Sequence, residues 1–519
     1  MLSAATPALS FAPVVTGWRR LRRARPNLIL LAAILVWTCV TRLPLLHVVQ
    51  DDEAFYSVVA SRWLRGELPY VASFDVKAPG VFALFAIVQA VFGASLYVVK
   101  GVEIVFVALG ALGLYRLLAR HATARSAWWA AFLYPLYCLT LNGVGSPCEI
   151  VQAALKIWAF AWLADAMLAQ GEANRIRFAV LSGLMIGLAV TLKQTAVFEG
   201  AALFGGLAWQ AWKRREAWPL ALFAVAGAAP TLVFAAYFFV HGHLADLYRD
   251  VVTLAYRRSQ MGPLLPPAPW YVELTQRCEL LIYVMTPLAV VTLGVLLAAL
   301  RRQRLARVGD GCVIGLGLIW YVAAMASIMI NRAPDPRYVT ALIAPSLLLF
   351  SLVVCEGIDF SAPRRAAWLL ALGLLAAGAP LVALRVSLQA AHHSNDPDYT
   401  GMALAAKTLR TDGARPGDNL LVVSRGHYIY VLSGLLPRAK YFNAMHLLCD
   451  FPTPDPDTIA TAFVTRPDYV VLSDPRLALS CASLARMNEI KARLARDYSV
   501  MTTVHGDWDS FILYRRKTP

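Results

Sequence analysis

The chain alternates apolar runs long enough to cross a bilayer with short charged segments, and no other property of its 519 residues restricts the fold so much. A helix needs roughly 20 apolar residues to cross the ~30 Å hydrocarbon layer. Within that layer the backbone has no water to bond, so a spanning segment is helical unless it closes a barrel. Eleven suitable runs fall at 28–48, 101–119, 126–142, 150–169, 178–194, 196–212, 218–240, 278–299, 311–330, 339–357 and 366–386. With 59% hydrophobic residues, the chain reads as a polytopic α-helical membrane protein with a soluble portion.

One more apolar stretch, 78–98, is ambiguous by length and is placed by charge. Suppose the Arg-rich N-terminus is inside and 78–98 lies on the surface or re-enters. The loops with Arg116/Arg120/Arg125, Arg175/Arg177, Lys213/Arg214/Arg215, Arg301/Arg302/Arg304/Arg307 and Arg364/Arg365 then all fall inside. If 78–98 crosses, all of them fall outside. Cytoplasmic loops carry the excess of Lys and Arg, so 78–98 is expected not to cross and the C-terminal tail to lie outside. The same distribution explains the formal charge of +16. Basic residues cluster between spans and no basic groove is interleaved with aromatics, which excludes nucleic acid as a partner. Residues 1–27 read as a basic cytoplasmic leader. Its arginines resemble a signal peptide's charged region, but the run after them is too long and lacks a small-residue cleavage site.

This topology gathers charge on the external face. The first loop, 49–100, opens with Asp51, Asp52 and Glu53, with Tyr56 one helical turn later, and carries Lys77 before Ala78-Pro79-Gly80. The second external loop adds Glu149, and Lys193-Gln194 closes a span. Loop 241–277 carries His241, His243, Arg249, Arg257 and Arg258, and a short loop supplies Arg332, Asp335, Arg337 and Tyr338. Lys100 and Glu103, three apart at the start of a span, read as a pair. A carboxylate facing a cation suits transfer from a phosphate-linked donor: one deprotonates the acceptor, the other holds the departing phosphate. Phosphate leaves readily, so a second carboxylate of the glycosidase kind is not required. The candidate catalytic residues are Asp52, Glu53 and Asp51. Lys77, Arg337 and Lys193 are candidates for the donor phosphate, Arg337 because its fork matches phosphate geometry. Tyr56, Glu149, Arg257, Arg258 and Tyr338 are expected to line the substrate cavity. His241 and His243 have no evident third metal ligand. Two or three carboxylates could hold a divalent cation beside a phosphate, but the residues require no cofactor.

From residue 394 the apolar runs shorten to strand length at 419–424, 468–473 and 511–515, alternating with helical patterns at 399–409, 458–463 and 482–495. Residues 394–519 therefore read as a small extracytoplasmic α/β domain. It has no phosphate-cradling Gly-rich loop and no nucleophile elbow, so a role in capping the membrane domain or selecting the acceptor is expected. The eight cysteines show no metal-type spacing; Cys449 and Cys481, both in this tail, could pair in an oxidising compartment.

Asp52-Glu53-x-x-Tyr56, the Gly66-Glu67-x-Pro69-Tyr70 turn and Lys77-x-Pro79-Gly80 together form a pattern. It resembles that of the protein O-mannosyltransferase-like membrane glycosyltransferases, a group that includes bacterial enzymes adding 4-amino-4-deoxy-arabinose to lipid A. Ser146-Pro147-Cys148-Glu149, Leu192-Lys193-Gln194 and Arg337-Tyr338 followed by Pro345 add weaker similarity. The resemblance implies a GT-C fold and inverting transfer of one sugar from a polyprenyl-phosphate donor to a lipid, glycan or protein acceptor. Transfer would take place on the periplasmic face of a bacterial inner membrane. It also implies that Asp52 is the essential acid and that Lys77 contacts the lipid phosphate. Ala78 departs from the Pro of many members, and Asp51 adds a carboxylate. A transporter of polyprenyl-linked lipid is the alternative reading. Transporters tend to show internal repeats and midplane charges, whereas here no repeat stands out and the unusual charges are external.

Overall fold

The computed structural model describes residues 28–46, 51–139, 147–261, 282–283, 311–331, 336–357, 399–423, 426–473, 481–506 and 510–517. The leader 1–27, the expected spans 278–299 and 366–386, and Arg332 and Asp335 lie outside the described residues. The first part of the chain forms α1 (Leu28–Arg42), α2 (Asp51–Leu64), α3 (Pro79–Phe92), α4 (Leu96–His121), α5 (Ala124–Tyr137), α6 (Pro147–Leu168), α7 (Glu172–Leu192), α8 (Val197–Arg214) and α9 (Trp218–Val240). Short helices follow at Leu244–Tyr248 and Ala255–Gln260 with a π-helical segment, Arg249–Leu254, between them, and then come α10 (Gly311–Met329) and α11 (Thr340–Gly357). Each of the other nine expected spans coincides with a helix, and among the described residues six helices are long and apolar enough to cross a membrane.

Local chemistry accounts for several boundaries. Thr123 caps α5 through a reciprocal capping box with Ser126. α3 starts on Pro79, whose missing N–H costs nothing at a first helical position, and stops at Gly93 with φ +80°. With 14 residues α3 is about 21 Å long. It exposes Ile87, Val91 and Phe92 and buries its other side against α2 and α7. α7 and α9 pack most closely at Gly183 and Gly187, four residues apart. A side chain there would collide with the carbonyls of Phe223 and Gly227.

At one end of the bundle Asp165 meets Arg116, Arg120 and His121, and Arg175 pairs with Glu216 at 2.6 Å. Several of the basic clusters expected on the inside therefore share one end. The first loop and the short helices after α9 lie at the other.

The C-terminal part forms α12 (Tyr399–Thr411), β1 (Leu420–Val423), α13 (Tyr428–Ser433), a turn of helix at Ala444–Leu448, α14 (Thr458–Val464), β2 (Tyr469–Ser473), α15 (Leu484–Asp497), β3 (Tyr498–His505) and β4 (Ser510–Arg516). The sheet order is β1-β2-β4-β3, with β1 and β2 parallel and the other pairs antiparallel. The sequence pattern marks three of these strands. It misses β3, an edge strand whose Ser-Val-Met-Thr-Thr run is largely exposed. Cys449 and Cys481 form a disulfide with Cα atoms 5.3 Å apart.

Two hydrophobic cores result. One lies within the helix bundle. The other runs without interruption from α2, the first loop and α3 into the α/β domain, and is rich in aromatic rings. Phe55 stacks on Phe442 at 5.0 Å, and Phe74 packs against Tyr441 and His446. Arg62 donates to the Ala439 carbonyl at 2.8 Å, and the Phe74 amide to the Lys440 carbonyl at 3.1 Å. The first loop is thus built into the soluble domain.

Candidate active site

Asp51, Asp52 and Glu53 occupy the first turn of α2, where acidic side chains favour the helix dipole. Successive side chains on a helix stand about 100° apart, so three adjacent carboxylates cannot share one cavity. Asp51 turns to the α/β domain, 2.7 Å from His427 Nδ1, and its Oδ1 accepts the His427 amide at 3.0 Å. Glu53 turns into the protein, accepting from Lys100 at 2.5 Å and from the Tyr428 hydroxyl at 2.7 Å. Lys100 lies 3.8 Å from Glu103, which pairs with Arg42 at 3.1 Å, so the expected Lys100–Glu103 pair is part of a larger chain of charges. Asp52 points the third way and pairs with Arg337 at 2.8 Å. The side chains of Glu53, Asp51 and Asp52 are 0%, 22% and 39% exposed, so Asp52 is the carboxylate most open to a ligand.

The loop between α2 and α3 is held from several sides. Tyr70 takes φ +69°, its amide donates to the Ser73 carbonyl, and its hydroxyl donates to the Lys77 carbonyl at 2.8 Å. Gln194 donates to the Val76 carbonyl at 3.0 Å and to the Val251 carbonyl at 2.9 Å, tying the loop to the π-helical segment. Ala78 is extended, as a residue before proline prefers. Gly80 lets α3 lie against Thr191, where a Cβ would clash.

Lys77 emerges from this brace, and among the described residues its ammonium has no carboxylate within ion-pair distance. Burial works against its charge, but Tyr56, Tyr338 and Glu149 beside it outweigh burial and hold its pKa well above the ordinary value. Tyr56 is fully buried, close enough to Asp52 and Lys77 to feel both charges.

Glu149, at the start of α6, sits within the influence of Lys193, Lys77 and Arg337. It accepts from Lys193 at 2.9 Å, and the Lys193 ammonium lies 3.3 Å from the Tyr338 ring centroid. These side chains open onto a narrow cleft that Gln152, Lys156 and Ser327 continue into the bundle. Arg258 packs its guanidinium 5.6 Å from the Phe451 ring and interacts electrostatically with Tyr338. Arg257 points out to solvent. His241 bonds the Tyr237 carbonyl and His243 bonds Asp246. Among the described residues no group of three or more His, Cys, Asp or Glu is placed to hold a metal ion.

Asp52, Arg337, Lys77, Tyr56, Glu149, Lys193, Tyr338 and Arg258 therefore converge, while Asp51, Glu53 and Arg257 face elsewhere. Sequence reasoning missed three participants. His427 and Tyr428 receive Asp51 and Glu53 from some 375 residues away, and no local pattern marks such a contact. Asp75, two residues before Lys77, is buried beside it; only its position in the first loop could have drawn attention.

Residues 76–234, which begin one residue before Lys77, match the family model described as dolichyl-phosphate-mannose-protein mannosyltransferase. No curated protein matches the chain in sequence. Among solved structures, ArnT from Cupriavidus metallidurans in the apo state is similar with a TM-score of 0.62 at 13% identity, over 97% of this chain and 98% of that one. The oligosaccharyltransferase of Archaeoglobus fulgidus tethered with an acceptor peptide gives 0.53 at 11% identity, over 86% and 69%. The archaeal oligosaccharyltransferase AglB from the same organism, in complex with an inhibitory peptide and a dolichol-phosphate, gives 0.50 at 12%, over 89% and 70%. At these identities the structural likeness is one of fold. The chain has the GT-C fold of membrane glycosyltransferases, and its residues 76–234 are similar to the dolichyl-phosphate-mannose-protein mannosyltransferases.

Proposed function

We propose that the protein transfers one sugar, with inversion, from a polyprenyl-phosphate donor to a lipid, glycan or protein acceptor at the periplasmic face of a bacterial inner membrane. In this reading an acceptor hydroxyl attacks the anomeric carbon while its proton passes to Asp52. The bond from that carbon to the phosphate oxygen breaks with its electron pair, and the charge left on the phosphate is met by Lys77, with Lys193 in the cleft wall and Arg258 near Tyr338. Arg337 orients the Asp52 carboxylate through their ion pair. The positive charge comes from side chains, so a chelator is expected to leave the rate unchanged.

The observation that carries this reading is the separation of roles on α2. Of its three acidic residues, the most exposed is the one facing Arg337 and the cations, while its neighbours are engaged by the α/β domain. The structurally similar AglB, in complex with a dolichol-phosphate, supports a lipid phosphate as the donor's leaving group. The test is reconstitution of the purified full chain in liposomes with a labelled polyprenyl-phosphate sugar and envelope acceptors. Appearance of label on an acceptor, abolished in Asp52→Asn, supports the proposal. Movement of intact donor across the bilayer without any product contradicts it and returns the transporter reading.

A further inference from the structure

Asp75 is a buried carboxylate that the transfer scheme above does not use. Its Oδ1 accepts the backbone N–H of Val76 at 2.6 Å and that of Lys77 at 3.3 Å, so it fixes the backbone from which Lys77 projects. Among the described residues its Oδ2 has no hydrogen-bond partner, yet it is not among the sequestered polar atoms, so it keeps contact with water. The same holds for the Lys77 ammonium. A carboxylate with one oxygen tied and one free therefore sits within the electrostatic reach of an unpaired ammonium, inside a loop braced by Tyr70 and Gln194.

We propose that Asp75 is the positioning residue of the donor-phosphate site, holding Lys77 in place through the loop amides and surrendering its own negative charge to a proton when the phosphate arrives. The inference rests on the reading of Lys77 as the phosphate-binding cation. In the empty site an ionised Asp75 offsets Lys77. An entering phosphodiester brings a like charge against Asp75, and like charges at close range favour the protonated acid. One proton from water then joins Asp75 for each phosphate bound, and Lys77 is left to the ligand.

The groups around Asp75 permit this. Burial first, and then the Asp52 charge, push its pKa up, while Lys77 and the two amides pull it down; the balance lies at about 6. It is therefore ionised in the empty site at neutral pH and needs only a modest upward push. Tyr56 and Tyr70, which face it from α2 and from its own loop, are held well above their ordinary pKa by burial and stay neutral. His446, packed on Phe74 from the α/β domain, is pushed down to about 3 by burial and also stays neutral. Glu149 and Cys148 act on Lys77 from α6, and Glu149 is paired with Lys193.

The test measures binding of the methyl ester of undecaprenyl phosphate to the detergent-purified full chain. This probe is a phosphodiester whose single charge does not change between mildly acidic and mildly alkaline pH. Wild-type affinity is expected to weaken about tenfold per pH unit above the Asp75 pKa, as uptake of one proton requires. Asp75→Asn keeps an acceptor for the amides but has no charge to lose. It should bind at neutral pH at least as tightly as wild type, without that slope. Asp75→Ala should bind more weakly than Asp75→Asn at every pH, because the loop amides lose their acceptor. A flat wild-type profile, an unchanged slope in Asp75→Asn, or equal affinity in Asp75→Ala and Asp75→Asn overturns the inference. Loss of binding in Lys77→Ala is expected throughout. If Lys77→Ala binds as wild type does, the donor-phosphate reading itself fails.

Discussion

The helix bundle and the membrane-surface unit hold together by different means. The bundle packs small residues and aliphatic chains along long helices, as at Gly183 and Gly187. The surface unit joins segments that are remote in the chain around aromatic rings and backbone-directed hydrogen bonds, as where Arg62 reaches the Ala439 carbonyl. The first kind of packing can tolerate lateral adjustment, because lipid and helix surfaces are alike apolar. The second fixes a few atoms closely, and those atoms include the support of Asp52 and Lys77. The comparison teaches that in this protein the α/β domain is part of the construction of the candidate active site.

Substitutions can break that comparison at chosen points. The largest expected effect is on folding. Glu53→Ala leaves Lys100 and the Tyr428 hydroxyl facing an emptied site, and removing one partner of a buried ion pair costs about 3–5 kcal/mol. A large drop in thermal unfolding temperature of the purified protein is the expected result, with activity lost through misfolding. Next comes Lys77→Ala, which is expected to insert and unfold as wild type does while losing about 10²–10³-fold in transfer rate, the scale of removing one charge-stabilising group. The readout is initial rate under saturating acceptor. Tyr428→Phe removes one hydrogen bond to a buried carboxylate and keeps the ring, so a loss of about 1–3 kcal/mol is expected. Thermal unfolding measures it, with transfer rate per folded molecule nearly unchanged. The smallest effect is expected at Arg257, which faces solvent: Arg257→Ala should alter neither stability nor rate. If Arg257→Ala costs more than Tyr428→Phe, the division between supporting and exposed residues is misplaced.

Hydropathy made the spans and the sheet-forming tail legible, because a bilayer and a strand each impose a length and a period that a single chain displays. Periodicity carried much less information about the site. Asp51, Asp52 and Glu53 look equivalent in sequence, yet the helix turns them toward His427, Arg337 and Lys100 in succession. Their difference depends on partners far along the chain, and a one-dimensional pattern does not contain such pairings. β3 escaped for a related reason: an edge strand exposes most of its side chains and so loses the apolar alternation that marks the others. Asp75 was invisible as a participant because burial in a loop follows from tertiary packing alone.

The central claim is that adjacent carboxylates on α2 have unlike duties, with Asp52 alone taking part in the chemistry. Sugar transfer by purified Asp51→Asn, Asp52→Asn and Glu53→Gln, normalised to folded protein in each case, tests it most directly. The account predicts that Asp52→Asn loses about 10²–10⁴-fold, the range for removal of a general base, while folded Asp51→Asn and Glu53→Gln keep most of their rate. Full activity in Asp52→Asn, or an equal catalytic loss in correctly folded Asp51→Asn, would contradict it.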